Sequence, residues 1–475
     1  MSRPFDEAHY KGLLEGLEVS EIPLSVAMIS DRSGRFDSGY FSKEQLALRE
    51  KAKVWPVLGA YVSRIVCGPF GSTILDINYQ ETGIPMIRPF NLRGLRSDVG
   101  DIVYLSPAFV SGQNLKMFKR GDLAFARVGD VGCGMVVQPE ATISPNVIVA
   151  SISGSALNSS YATVFFNTKY GRLQMEGAIK AVAQPTISTE IIRELRLPLF
   201  SETFQTHIQQ HLERNEAALW GAKSAQEQAE QTLLHALGIQ NWQPPEPLTY
   251  TRRASEVFTS GRLDSDYFAP RVAELLQKLG EAGLTVGAVA PTRHERFSPG
   301  KNGEFDYIEI GSVRADGTVG AERLPQNEAP SRATSYVRAG DVITSSVRPI
   351  RRLSAIIAPE QDGFVCSSGF VVLQPRDVPA EVLLTYLRLP PLCELMDLHT
   401  SASLYPAISE ADLLALPFHP ITREAEAKIV NAVQSAHTAR RQANALLEAA
   451  KRAVEIAIEQ SEDDAMRFLL ESREF

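Results

Sequence analysis

Cysteine is scarce: the 475 residues hold four, Cys67, Cys133, Cys366 and Cys393, and none stands in a C-x-x-C pair. That argues against a disulfide scaffold and a Cys-rich zinc site, and fits reduced thiols in a cytosol. Histidine is nearly as rare. Of eight, only His207 and His211 have H-x-x-x-H spacing, and their HIQQH lacks the glutamate of a zinc-protease helix. It reads as a helix surface, and no metal ligand set is expected. No run of about 18 apolar residues occurs, so no membrane-crossing helix is expected. The opening MSRPFDEAHYKG has no apolar core of a secretory signal. Gly 32 and Pro 28 are near average, which excludes a collagen-like chain. Nor is there an excess of basic residues. With 48 Lys+Arg against 56 Asp+Glu the formal charge is -8, and that figure alone points away from nucleic acid.

Catalytic signatures are missing too. There is no G-x-x-x-x-G-K-[ST] phosphate loop, no G-x-G-x-x-G after a strand, and no G-x-S-x-G elbow. The N/D-P-P-Y/F motif of adenine amino-methyltransferases is absent. Gly132 and Gly134 form a lone G-x-G, which reads as a turn. Asp306 and Glu309 in FDYIEIG lack the following lysine of a common nuclease core and read as strand-edge carboxylates.

What the chain does contain is a repeat. SGRFDSGYF at 33–41 returns as SGRLDSDYF at 260–268, with seven of nine positions identical at an offset of 227. Weaker echoes follow in the same order. GIPMIRPFNLRG from Gly83 aligns with FDYIEIGSVRAD from Phe305. FKRGDLAFARVGD aligns with YVRAGDVITSSVRP, and QPTISTEIIRELRLPLF with YPAISEADLLALPFHP. Repeats of this kind organise a fold. Each copy reads as a short lead-in, a mixed α/β block and a long helix. The repeated R-x-D-S-x-Y-F either completes the other half near a helix end or is a local strand edge or cap.

The helices have a countable seam. In the first copy it takes Ile208, Leu212, Asn215, Leu219, Ala222, Gln226, Ala229, Leu233 and Ala236. In the second it takes Ile429, Val433, Ala436, Arg440, Ala443, Leu447, Ala450, Val454 and Ala457. Fifteen of these eighteen are apolar, in steps of three and four, and the many alanines permit close approach. Each helix should run roughly 38–40 residues, or about 57–60 Å. Either the two pack against each other or each lies on its own domain; the length of the seam favours the pair. Pro198 and Pro417 precede the helices, and Gly238 stands where a C-terminal cap belongs.

Basic residues cluster in loops. Arg88, Arg93 and Arg96 lie in RPFNLRGLR; Lys116, Lys119, Arg120 and Arg127 flank a Gly-Asp turn; Arg348, Arg351 and Arg352 crowd VRPIRR. Residues 51–200 hold 15 Lys+Arg against 10 Asp+Glu, and 281–420 hold 12 against 17. Arginine grips phosphate or guanine, and Asn and Gln suit adenine, so such loops fit DNA reading. A solvated charged face is the plainer alternative. The acidic second block needs its basic loops segregated, or a partner supplying phosphate contacts.

With these motifs in order, the chain resembles the specificity subunits of type I restriction–modification systems over nearly its whole length. The resemblance rests on GPFGS at 68–72, GIPMIRPFNLRG at 83–94, KRGDLAFARVG at 119–129, SPNVIV at 144–149 and QPTISTEIIRELRLPLF at 184–200. It implies an α/β (α+β) fold of two tandem target recognition domains, held apart by an antiparallel coiled coil and related by pseudo-twofold symmetry. The implied boundaries are a lead-in at 1–50, a first recognition domain at 51–200, a first long helix at 201–238, a linker and second lead-in at 239–280, a second recognition domain at 281–420, a second long helix at 421–460 and a tail at 461–475.

By the resemblance each domain reads one half of a bipartite, asymmetric DNA target, and the subunit itself is not an enzyme. Its partners are double-stranded DNA, two adenine-N6 methyltransferase subunits and, in restriction complexes, an ATP-dependent translocating nuclease subunit. The subunit needs no cofactor, since S-adenosylmethionine is bound by the partner methyltransferase. A cytoplasmic, nucleoid-associated location follows. A related methylation-based phage defence is equally compatible. The competing readings are an acidic coiled-coil scaffold or DNA mimic that reads no DNA, and a stand-alone enzyme.

The candidate DNA contacts are Arg88, Asn91, Arg93, Arg96, Lys116, Lys119, Arg120, Arg127 and Gln184 in the first copy. In the second they are Arg314, Arg348, Arg351, Arg352, Ser403 and Tyr405. The second copy lacks GPFGS, has YPAIS for Q-P-T-I-S, and carries Ser346 where the first has Arg127.

Overall fold

The computed structural model describes residues 7–14, 17, 20–25, 37–69, 71–92, 95–96, 102–129, 132–179, 186–244, 246–401 and 406–472. Four candidates from the sequence, Arg93, Gln184, Ser403 and Tyr405, lie outside them. The first copy comprises α1 (Lys43–Ala52), an α/β block, α2 (Ser159–Phe166), α3 (Lys169–Ala178), α4 (Thr189–Glu194) and the first long helix, α5 (Glu202–Ala236). The second comprises α6 (Pro270–Gly280), its own block, α7 (Ala380–Leu387), α8 (Pro390–Leu398), α9 (Glu410–Ala415) and the second long helix, α10 (Arg423–Glu459). A terminal helix, α11 (Glu462–Glu471), follows.

The strands make the duplication explicit. In the first block one sheet runs β1 (Val62–Cys67), β9 (Val147–Ile152), β6 (Leu123–Ala126), β7 (Cys133–Met135). A second runs β2 (Tyr79–Gln80), β4 (Val103–Leu105), β3 (Ile84–Ile87), β8 (Glu140–Ile143), β5 (Phe118–Lys119). The second block reproduces each sheet without its first edge strand, β1 or β2. Its three-stranded sheet is β16 (Phe370–Leu373), β13 (Val342–Ser345), β14 (Ser354–Ile356). Its four-stranded sheet is β11 (Glu322–Pro325), β10 (Glu304–Ile308), β15 (Val365–Ser367), β12 (Ala333–Tyr336). Both larger sheets contain one parallel pair at the same place, Met86 opposite Thr142 and Tyr307 opposite Val365. All other named pairs are antiparallel.

Individual hydrogen bonds repeat as well. Lys119 N–H donates to the carboxylate of Asp122 at 3.0 Å, and Arg338 N–H to Asp341 at 2.8 Å. Both aspartates are buried, and the glycine before each, Gly121 (φ 94°) and Gly340 (φ 85°), takes a backbone conformation that L side chains resist. The Tyr161 hydroxyl donates to Pro198 O at 2.6 Å and the Tyr386 hydroxyl to Pro417 O at 2.8 Å. The bond recurs although the two tyrosines stand at different turns of α2 and α7. The lead-in motif also repeats its form. Tyr40 N–H donates to Asp37 and Tyr267 N–H to Asp264, and in each the Tyr and Phe rings meet edge-on. These are local turns, made alike in the two copies.

The chain forms two compact units, and they are interleaved along the sequence. One combines Met1–Ala218 with Arg441–Phe475; the other is Leu219–Arg440. Each unit therefore contains half of both long helices. In the first, Phe204, Ile208 and Leu212 of α5 share a core with Ala450, Val454 and Ala457 of α10. The buried Asn215 donates to Ala443 O at 2.6 Å. In the second, Ala229 and Leu233 share a core with Ile429 and Val433, and Arg440 donates to Gln226 at 2.5 Å. Within each unit the two segments run antiparallel. The helices are 35 and 37 residues long, slightly under expectation. Gly238 closes the first with φ 66°, as a left-handed cap.

Most of the expected seam is buried: Ile208, Leu212, Ala222, Ala229, Leu233, Ile429, Val433, Ala436, Ala443, Ala450 and Val454, with Leu447 half-buried. Leu219 is a correction: it is 40 % exposed. Leu212 and Leu233, on the same heptad line, are buried in the cores of the two units, and Leu219 belongs to neither core. The HIQQH reading is also corrected. His211 is buried at 1 % exposure, with Nδ1 2.9 Å from His207 O, so it is core rather than surface. Among the described residues no group of His, Cys, Asp and Glu could hold a metal ion. No described helix is long and apolar enough to cross a membrane.

Candidate nucleic-acid interface

Segments far apart in the first copy converge on one loop cluster. Gly68 of GPFGS lies so close to Ser144 O that a Cβ there would stand 1.9 Å from it, so no larger residue fits. Its N–H donates to Val147 O. Arg127 N–H donates to Asn146 O at 2.9 Å, and Ile187 N–H to Arg127 O at 3.1 Å. Ser144 N–H reaches Ile87 O, next to Arg88. All five of the sequence motifs therefore meet around Arg127 and Arg88.

The second copy builds the same junction. Ser346 N–H donates to Gly369 O at 2.9 Å, and Ile408 N–H to Ser346 O at 3.0 Å. Val128 bridges Thr186 in one copy and Val347 bridges Ala407 in the other. Arg348 N–H donates to Pro406 O at 2.8 Å, and Arg348 (φ 50°) and Arg352 (φ 59°) are both left-handed. Side chains differ while the backbone frame is kept.

The basic candidates separate into two groups. Lys116, Lys119, Arg120, Arg314 and Arg351 are exposed. Arg88 and Arg127 are half-buried, with the Arg88 guanidinium 5.9 Å from the Tyr79 ring and an Arg127 N–H 3.6 Å from the Cys67 sulfur. Such residues can meet phosphate or base edges.

Three others are structural. Asn91 is fully buried, and its Oδ1 accepts the Arg88 N–H at 2.8 Å while its own N–H donates to Arg88 O. The amide oxygen is thus spent on its own turn, away from solvent. Arg96 is 11 % exposed and lies 3.2 Å from Glu216 of α5. Arg352 lies 2.5 Å from Glu230 of α5 and donates through Nε to Arg388 O at 2.6 Å. A guanidinium taken out of water needs a carboxylate or carbonyls, and the long helix supplies them. Arg120 shares Glu216 at 3.7 Å but remains 64 % exposed.

The electrostatics follow the same division. Asp316, beside Arg440, is held below the usual carboxylate range. Burial pushes it up, but the Thr318 N–H and hydroxyl and the Arg440 and Arg314 charges outweigh that. Burial pushes the Cys366 thiol up to about 12, which leaves it an inert core residue.

One contributor was not singled out in the sequence. Arg64, on β1, donates to Met117 O at 2.6 Å and stacks 4.8 Å from the Phe118 ring, which sets it beside Lys116 and Lys119. No cluster in the sequence marks it, because strand pairing rather than sequence proximity brings these residues together.

No family model and no curated relative matches the sequence. Solved structures do resemble it. The S subunit of a type I restriction–modification system from M. genitalium shares 12% identity, covering 87% of this chain and 95% of that one, with a TM-score of 0.36. The HsdS subunit from Thermoanaerobacter tengcongensis shares 13% identity over 86% and 96% of the two chains, with a TM-score of 0.29. A chain from work on assembly of the type I R-M system shares 15% identity over 88% and 96%, with a TM-score of 0.27.

Proposed function

We infer that the chain is the DNA-specificity subunit of a type I restriction–modification or related methylation-based defence system. The observation that carries this reading is the doubled loop junction: one backbone frame, built twice, with Arg127 in one copy where Ser346 stands in the other. Two identical readers would specify a repeated half-site, whereas divergent ones specify an asymmetric target. Arg88, Arg127, Lys116, Lys119 and Arg120 serve the first half, with Arg64 added to them. Arg314, Arg348 and Arg351 serve the second.

Chemistry on the DNA falls to partners. Two adenine-N6 methyltransferase subunits, using S-adenosylmethionine, act on the two strands. An ATP-dependent nuclease subunit joins them where the system restricts. Base contacts by Arg discriminate by about 1–3 kcal/mol each, while lysines on phosphate position the duplex without reading it. The length of the long helices sets the number of unread base pairs between the halves. The test is site-specific methylation by the purified chain together with its methyltransferase partner. A bipartite adenine motif supports the reading; complex formation without sequence-selective methylation favours the scaffold.

A further inference from the structure

The second unit holds a buried cation that no carboxylate among the described residues pairs within 4 Å. Arg388 is the residue that ends α7, and it is 4 % exposed. One Nη donates to Ala315 O, while Nε has no partner among the described residues. Both nearby carboxylates are engaged elsewhere: Glu230 lies 2.5 Å from Arg352, and Asp316 lies 3.8 Å from Arg440. Three guanidinium groups thus face two carboxylates. Against this cluster lies a cavity of about 20 Å³, bounded by Gln226, Glu230, Thr385, Arg388, His437 and Arg440 among others. A space above roughly 10–15 Å³ takes one water-sized guest. Water would satisfy an N–H, but it would not balance the charge.

We propose that this cavity binds one monatomic monovalent anion, a halide, against the Arg388 guanidinium. The surroundings agree. Burial, and next the Arg352 charge, press the Arg388 guanidinium down to about 10, as expected where positive charge is in excess. The first copy shows that the architecture does not require the cluster. At the end of α2 the corresponding residue is the neutral Asn167. Matching Ile208 with Ile429 sets Leu219 against Arg440 and Gln226 against Leu447. The anion site belongs to the second copy alone, and it ties α7 to both long helices.

The inference does not depend on DNA reading and is tested on the full chain without DNA or partners. In sodium bromide or chloride the thermal midpoint should lie about 2–4 °C above that in sodium gluconate of equal ionic strength. Crystals grown with bromide should show an anomalous peak in contact with Arg388. Arg388→Met should remove the halide dependence and, in gluconate, unfold no earlier than the unaltered chain. If that variant does not fold, the bromide peak decides. Equal midpoints with no peak at Arg388, or a halide dependence that survives Arg388→Met, would overturn the proposal.

Discussion

Arg96 and Arg120 reach for the same carboxylate, Glu216, from different environments. Removing Arg96 leaves Glu216 nearly buried with its closer cation gone. Arg96→Ala should therefore cost about 3 kcal/mol of unfolding free energy. Arg120→Ala should cost under about 1 kcal/mol, because that pair is exposed and screened. Urea unfolding of the two variants measures the contrast; equal losses would contradict the division into structural and exposed arginines. Arg127 belongs to the other side. Arg127→Ala should relax base preference in one half-site and leave the other untouched, as read by methylation of randomised targets. Loss spread equally over both halves would count against the assignment. Asp316 gives a pH signature. Its folded carboxyl titrates below its unfolded value, so its contribution is fully present above about pH 4. That contribution fades as the pH falls through the lowered value. Stability of Asp316→Asn should vary less than that of the unaltered chain between about pH 5 and 2.

At the scale of elements, the long helices carry the testable geometry. Deleting one heptad from each, at matching places, shortens the pair by about 10.5 Å. That is roughly three base pairs at 3.4 Å each. The unread spacer should shrink accordingly while both half-sites persist. An unchanged spacer would contradict the ruler role. These elements were also the most legible in the sequence. A seam of alanine and branched aliphatics in steps of three and four marks a long helix, and Gly238 marks its end. Such a seam needs a partner, which favours the paired alternative, and Asn215 on Ala443 O bears that out. Leu219 departs from the seam because a heptad count does not say where along a helix a core lies against it. The loops were the least legible. RPFNLRGLR shows three arginines and an asparagine in a row, but nothing local says that Asn91 turns inward or that Arg96 meets a glutamate 120 residues away. Burial and pairing of that kind are fixed by tertiary packing, which charge clusters do not encode.

For the whole molecule, duplication explains most of what is present. The same strand order, the same parallel pair, the same Gly-Asp turn and the same tyrosine-to-proline bond recur at nearly constant offsets. Chain order and compact units do not coincide, because the end of the chain returns to the first unit. The most direct measurement of the central claim is a comparison of adenine methylation across the genome in cells carrying and lacking the gene. The account predicts the loss of one motif made of two different half-sites separated by a fixed unread gap, with modified adenine on both strands. Disappearance of a continuous motif, or an unchanged methylation pattern beside an active methyltransferase partner, would contradict it.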